Sequence, residues 1–225
     1  MKKFVFLIAL IFSSTLVIAQ DIVIGESGKV STATTSADPK SLVRFYENAL
    51  LHNANDPTIG NRNGTVTLAE FFDYQCIHCI AMLPVISELA EKNSNLKVVF
   101  KVYSLGKPTS TRAALAALAA EKQGKFIDFH HALLTANQPL KDEVIFSIAQ
   151  ASGLNLAQLQ KDMNSPDIEN QLNANIKLAH ELKVPGTPAF FVAPSKNAGK
   201  KDATSYFVGE VSNTSLQSAV DRAAK

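Results

Sequence analysis

The chain has 225 residues, a net charge of +2 at neutral pH and two cysteines. A chain of this length can bury a core for one large domain or two small ones. The near-neutral charge gives no electrostatic reason to expect binding to nucleic acid or to an anionic membrane surface, so we expect no nucleic-acid partner.

Residues 1–19 have the pattern of a secretory signal peptide. Two lysines precede an apolar run from Phe4 to Phe12, and Ala19 offers a cleavage site. The apolar run is too short to span a bilayer. We therefore expect a soluble, exported protein that is cleaved near Ala19 and works in the periplasm, with a mature chain that is neutral because the two lysines leave with the signal.

Residues 20–63 are predicted to form an N-terminal extension. The pair Asp38-Pro39 is a helix-start signal, and the apolar residues of 39–52 fall on one stripe of a helix. A turn-rich run at 55–64 then marks a module boundary. This amphipathic helix could join two copies of the chain in a homodimer, or it could pack on its own domain.

The pattern after this extension is that of an α/β fold. A strand, a helix and a second strand in succession imply a parallel crossover unit. A long helical stretch then interrupts the sheet, and it divides the main domain into residues 64–107 and 184–225 around a helical insertion at 108–183. The predicted elements are strands at 65–72 and 96–104 with a helix at 76–93 between them, helices within 108–183, strands at 189–193 and 205–209, and a helix at 213–224.

Both cysteines lie in the short motif Cys76-Ile77-His78-Cys79. If the helix begins at Cys76, its free N–H groups and the positive end of its dipole favour a thiolate at Cys76 over a thiol. A protonated His78 adds a second positive field. The thiolate is both the attacking species and a good leaving group in thiol–disulfide exchange, and Cys79 could resolve the mixed disulfide. The motif therefore predicts a labile, redox-active disulfide.

Two structural interpretations of the cysteine pair are weaker. A disulfide that closes so short a loop removes little entropy from the unfolded chain. A zinc site needs four ligands, and the other histidines do not supply them, because His130 and His131 are adjacent while His52 and His180 are isolated. We expect neither a metal nor a cofactor.

The stretches EFFDYQCIHC and VPGTPAFFV, separated by a helical insertion, resemble the DsbA-type thiol:disulfide oxidoreductases. The resemblance covers residues 64–225 and implies a thioredoxin fold with an inserted helical domain, here preceded by an N-terminal helical extension. It implies that Cys76 is the exposed nucleophile and that Cys79 is the resolving cysteine. His78 matches the family's histidine, whereas Ile77 stands where a proline is usual.

The same resemblance implies four further site residues. Thr187 and Pro188 match a loop whose cis-proline holds the client peptide in an extended conformation, although prolines here could simply end a helix. Glu70 and Lys101 match a buried acid–base pair that relays a proton to the resolving cysteine. The alternative is that these two side chains lie on the solvent face of their strands.

The family's partners are cysteine-containing client proteins and a membrane redox protein of the DsbB or DsbD type. We therefore predict an exported oxidoreductase that forms or rearranges disulfides in clients. Thr187 before the proline is typical of the isomerase and reductase branches, so a dimeric isomerase or reductase with chaperone activity is one alternative. A non-catalytic exported chaperone or binding module on the same scaffold is the other.

Overall fold

The computed structural model describes residues 38–198 and 203–225. The predicted signal peptide and cleavage near Ala19 lie outside the described residues, as does the segment 20–37. Export therefore stays a prediction. Within the described ranges, none of the helices combines the length and the hydropathy that a membrane crossing requires.

The centre of the fold is a five-stranded mixed sheet in the order β1-β3-β2-β4-β5. The neighbours β2 and β3 are parallel, as the predicted crossover requires, and the other three pairs are antiparallel. Every residue of β2 is buried, because helices cover both faces of the sheet. The strands are β1 Thr58–Gly60, β2 Val66–Phe72, β3 Leu96–Val102, β4 Ala189–Pro194 and β5 Ser205–Val208.

The helices follow the predicted pattern of one before the sheet, one between β2 and β3, an insertion between β3 and β4, and one at the end. Several begin at the predicted signals; for example, the Asp38 side chain accepts a hydrogen bond from the Lys40 backbone N–H at the start of the first helix. The helices are α1 Pro39–Leu51, α2 Ile77–Lys92, α3 Pro108–Glu121, α4 Phe126–Leu134, α5 Asp142–Ala151, α6 Leu156–Met163, α7 Pro166–Glu181 and α8 Asn213–Ala223.

Alternate side chains of β2 enter two different hydrophobic cores. Leu68 and Phe72 point into the larger core, which α2, α8 and most of the helical insertion complete. Ala69 and Phe71 point into a smaller core, which α1 and α7 complete. This alternation decides which side chains of the sheet can reach the cysteines, since Cys79 lies in the larger core.

The segment before β2 is more closely joined to the sheet than the sequence indicates. The apolar side of α1, formed by Val43, Leu50 and Leu51, is fully buried in the smaller core, so α1 packs on its own domain. Residues 58–60 pair with β3, so the sheet begins before the predicted boundary at 64. At Gly60, where φ is +74°, an added Cβ would lie 2.5 Å from the Leu96 carbonyl oxygen, which explains a glycine in this edge strand.

Candidate active site

Cys76 lies at the start of α2, as the sequence predicts. Its backbone is extended, with φ −90° and ψ 110°, and its carbonyl oxygen accepts hydrogen bonds from the N–H groups of Cys79 at 3.0 Å and Ile80 at 3.2 Å. Its own side chain does not cap the helix. The half-buried sulfur is therefore free for chemistry at the positive end of the helix dipole.

Cys79 differs sharply from Cys76 in its surroundings. Its side chain is on the inner side of the first turn of α2, and only 1% of its surface is exposed. Burial raises the pKa of the Cys79 thiol well above its ordinary value, and a hydrogen bond with Cys76 adds to the effect. The inner sulfur thus keeps its proton while the outer one is accessible. Both cysteines are free.

The loop of Thr187 and Pro188 faces the outer sulfur. The bond between these two residues is cis, at the proline that the sequence analysis favoured. The Cys76 thiol donates a hydrogen bond to the Thr187 carbonyl oxygen at 3.3 Å. The Thr187 hydroxyl is buried and has no hydrogen-bond partner among the described residues. The two segments that the sequence singled out therefore meet at one point.

Glu70 lies on the same side of the sheet as Cys79. Its side chain is buried, and burial raises its pKa from 4.5 to about 8, so the carboxyl group is mostly protonated at neutral pH. When ionised, its charge raises the pKa values of Cys79 and Tyr74. Glu70 is therefore a buried carboxyl group on the same side of the sheet as the inner thiol, with a pKa near neutrality.

Lys101 does not belong to this group, and the predicted Glu70–Lys101 pair is wrong. In the parallel register of β2 and β3, Glu70 is opposite Phe100, whereas Lys101 is opposite Phe71. Side chains alternate between the two faces of a sheet, so Glu70 points into the larger core and Lys101 points to the other side. Because Lys101 is one position beyond the residue opposite Glu70, the two side chains lie on opposite faces of the sheet.

Lys101 has a different partner. Its fully buried ammonium forms an ion pair with Asp56, which is also fully buried, and donates a hydrogen bond to the Ala49 carbonyl oxygen. Burial lowers the pKa of Lys101 and raises that of Asp56, and their mutual attraction opposes both shifts. This pair joins the end of α1 and the loop before β1 to the sheet, on the face opposite the core that contains Cys79.

His78 is exposed beside the cysteines and has an acidic partner. Its Nδ1 atom is 2.7 Å from Oε1 of Glu210, a residue 132 positions further along the chain. No sequence signal indicates this contact, because Glu210 stands in an irregular segment between β5 and α8.

Asp73 is a site residue that sequence reasoning missed. Its carboxylate accepts hydrogen bonds from the backbone N–H of Gln75 at 2.6 Å, the backbone N–H of Leu105 at 2.8 Å and the hydroxyl of Ser110 at 2.5 Å. It thereby holds the turn before Cys76 against the loop after β3 and the first turn of α3. An aspartate directly after a strand and before a turn is the signal that could have revealed it.

An aromatic cluster joins the cysteine-bearing turn to the helical insertion. Tyr74, two residues before Cys76, shares a hydrogen bond of 3.1 Å with Nδ1 of His130 in α4. The imidazole of His130 is stacked on Phe126, and burial lowers its pKa to about 3, so it is neutral. Within the described ranges no group of three or more histidine, cysteine or acidic side chains could hold a metal ion.

Two solved structures with a similar fold are named as proteins of thiol-disulfide chemistry or as oxidoreductases. The chain superimposes on a thioredoxin-like oxidoreductase from Silicibacter pomeroyi with a TM-score of 0.71 and 34% identity, over 79% of this chain and 96% of that one. It superimposes on the thiol-disulfide exchange protein alpha-DsbA2 from Wolbachia pipientis with a TM-score of 0.72 and 29% identity, over 81% and 94% of the two chains.

Curated relatives divide into two kinds. A Rickettsia typhi protein named as a protein-disulfide oxidoreductase is 28% identical over 148 residues, which are 61% of this chain and 54% of that protein. A Na⁺/H⁺ antiporter from Salinispora tropica is 27% identical over 146 residues, 64% of this chain, and the chain spans only 22% of that protein's length.

The sequence pattern of the DSBA-like thioredoxin domain matches residues 67–221. The chain therefore belongs to the DsbA-like family of the thioredoxin fold.

Proposed function

We propose that this protein is a thiol-disulfide oxidoreductase that exchanges disulfides with cysteine-containing client proteins through Cys76 and Cys79. The observation that carries the proposal is the asymmetry of the pair. Cys76 is accessible at a helix start, whereas Cys79 is buried with a raised pKa. One sulfur can meet a client, and the other can only react with its neighbour.

The exchange follows from this asymmetry. When the protein oxidises a client, a client thiolate attacks Sγ of Cys76, the Cys76–Cys79 bond breaks, and Cys79 leaves and takes up a proton. A second client thiolate then attacks the client sulfur of the mixed disulfide and releases Cys76. Two electrons pass from the client to the protein. The reverse sequence reduces a client disulfide. In a rearrangement, Cys76 attacks a client disulfide and frees one client thiolate, and a different client thiolate then attacks the mixed disulfide, closes a new client disulfide and releases Cys76.

Glu70 supports proton transfer at the inner thiol in this scheme. Cys79 must gain or lose a proton in each cycle, but only 1% of its surface is exposed to solvent. Glu70 lies in the same core layer, and its raised pKa of about 8 allows it to give or accept a proton near neutral pH. Lys101 takes no part, because it points to the opposite face.

The surface around Cys76 favours an extended, apolar client segment. Four large apolar side chains on the segments that form the site are exposed: Ile77 and Ile80 in α2, Leu105 after β3, and Val208 at the end of β5. The backbone N–H of Leu105 is hydrogen-bonded to Asp73, and Gly209, next to Val208, is hydrogen-bonded to Pro188. The backbone carbonyl oxygen of Thr187 lies beside the sulfur, at the position where an extended client segment would pair with the main chain. Unfolded or partly folded proteins present segments of this kind, so we propose them as clients.

The proposed setting is the periplasm, with a membrane protein of the DsbB or DsbD type as redox partner. The signal-like pattern of residues 1–19 supports export. Thr187 before the cis-proline favours isomerase and reductase work as the second candidate function. If copies associate through residues 20–63, they do so through surfaces other than the buried side of α1.

Trapping of client adducts tests the proposal. In the C79A variant the Cys76 thiolate can attack a disulfide of scrambled ribonuclease A, which forms a mixed disulfide and releases one client thiolate. No Cys79 thiol is left to resolve that bond, so we expect adducts that disappear on treatment with dithiothreitol. The C76A variant, which keeps only the buried sulfur, should give none. Catalysed oxidation of reduced ribonuclease favours the oxidase role, and reactivation of the scrambled form favours the isomerase role. No adducts and no catalysis would favour the binding-module alternative.

A further inference from the structure

We propose that Glu210 is a positioning residue that weakens the oxidising power of the site by pairing with His78. The inference deepens the proposed function, on which it rests. The Glu210 carboxylate lies 2.7 Å from Nδ1 of His78, the residue directly before Cys79 in the motif. A histidine between the two cysteines can act on the outer sulfur only through its charge and its orientation, and Glu210 is placed to set both.

The backbone holds Glu210 in this position from both sides. The N–H of Gly209 donates to the carbonyl oxygen of Pro188 at 2.8 Å, and the N–H of Val211 donates to the sulfur of Met82 in α2 at 3.3 Å. The segment thus bridges the cis-proline loop and the cysteine-bearing helix. Because these anchors fix its backbone, Glu210 has less conformational freedom to lose on pairing than a residue in a free loop.

The effect of the pair follows from elementary electrostatics. A protonated His78 stabilises a thiolate at Cys76, and the negative charge of a carboxylate in contact with the imidazole opposes that field. Both side chains are more than half exposed, at 61% and 56%, so solvent weakens the interaction. The expected influence is therefore moderate, and it makes the disulfide less oxidising than His78 alone would.

The quantity that responds is the equilibrium with glutathione. The protein disulfide and two glutathione thiols give the reduced protein and glutathione disulfide, with two electrons transferred to the protein. Of the two protons, one goes to Cys79 and the other is carried by Cys76 or released to the buffer. Only the reduced form can carry a negative charge on the sulfur of Cys76, so a second negative charge near the cysteine pair disfavours reduction.

The test is the E210Q variant, which keeps an oxygen acceptor of the same size and removes the charge. At about pH 5.5 we expect the glutathione equilibrium constant to shift about two- to fivefold toward the reduced protein, the size expected for an exposed charge pair. The urea midpoint of unfolding should not change. The matched control is E91Q, the same substitution at an exposed glutamate on the last turn of α2, which should leave the constant unchanged.

A double-mutant cycle shows whether the effect passes through His78. In an H78N background the E210Q substitution should shift the glutathione equilibrium constant by less than about 1.5-fold. Without the imidazole, only the weak field of an exposed charge at longer range acts on the sulfur. An unchanged constant in E210Q, a shift toward the disulfide, or an equal shift in both backgrounds would overturn the proposal. A wild-type protein that never equilibrates with glutathione would instead overturn the proposed function, and this inference with it.

Discussion

The sulfur of Cys76 lies 3.3 Å from the backbone carbonyl oxygen of Thr187, although 111 residues separate them in the chain. The whole helical insertion lies between these two positions, so the sheet has to bring them together. It does so because β2, which leads into Cys76, pairs directly with β4, which follows Pro188. The distance therefore reports the correct assembly of the site as well as its chemistry.

The first prediction concerns the two thiols. In the reduced protein at pH 7, iodoacetamide should modify Cys76 at least about 100-fold faster than Cys79, because burial both shields the inner sulfur and raises its pKa. Peptide mass analysis after timed quenching measures the two rates. In urea the difference should vanish. Equal rates in the folded protein would contradict the assigned roles.

The second prediction concerns Glu70. Its pKa is about 8 in the folded protein and 4.5 in the unfolded chain, so between these values the folded state holds a proton that the unfolded state has lost. The free energy of unfolding therefore falls as pH rises through this window, with a limiting slope of about 1.4 kcal/mol per pH unit. The E70Q variant should lose this part of the slope.

Urea unfolding at about pH 5 and pH 8 measures the slope, and E91Q serves again as the matched control. Glu70 should also matter for redox kinetics, since the inner thiol exchanges its proton in every cycle. We expect E70Q to slow the resolution of a mixed disulfide, by roughly tenfold or more if it supplies general acid–base catalysis. An E70Q protein with wild-type kinetics and an unchanged slope would remove Glu70 from the site.

The third prediction separates Lys101 from the redox centre. Replacing Lys101 by methionine leaves the Asp56 carboxylate buried without its partner, which should cost about 3–5 kcal/mol in the free energy of unfolding. The double variant D56N/K101M should recover much of this loss. Because Lys101 faces the other core, the double variant should keep the wild-type glutathione equilibrium. A shift of the glutathione equilibrium constant in the double variant would contradict the placement of Lys101 on the face of the sheet opposite Glu70.

The elements near the cysteines could be predicted because their signals are local. The β-branched and aromatic run before Cys76 predicts β2, the spacing Cys76-Ile77-His78-Cys79 places a helix start at the first sulfur, and the resemblance singles out Pro188. The uninterrupted helical patterns of 108–183 likewise correspond to α3 through α7. In each case a single stretch of chain contains the information.

Relationships between distant segments could not be predicted in the same way. The pairing of Glu70 with Lys101 failed because strand register depends on how two separate strands meet, and a shift of one residue reverses the faces. The edge strand at 58–60 could not be predicted, because it has only three residues and lies within a turn-rich run. The contact between His78 and Glu210 joins residues 132 positions apart, with no periodicity to indicate it.

The central claim is that the Cys76–Cys79 disulfide is labile because its reduced form is stabilised at a helix start. The most direct test is the equilibrium of the purified protein with glutathione buffers of known ratio, monitored by alkylation and mass. We expect a reduction potential well above roughly −300 mV, the value below which structural disulfides typically fall. A potential at or below that value would contradict it.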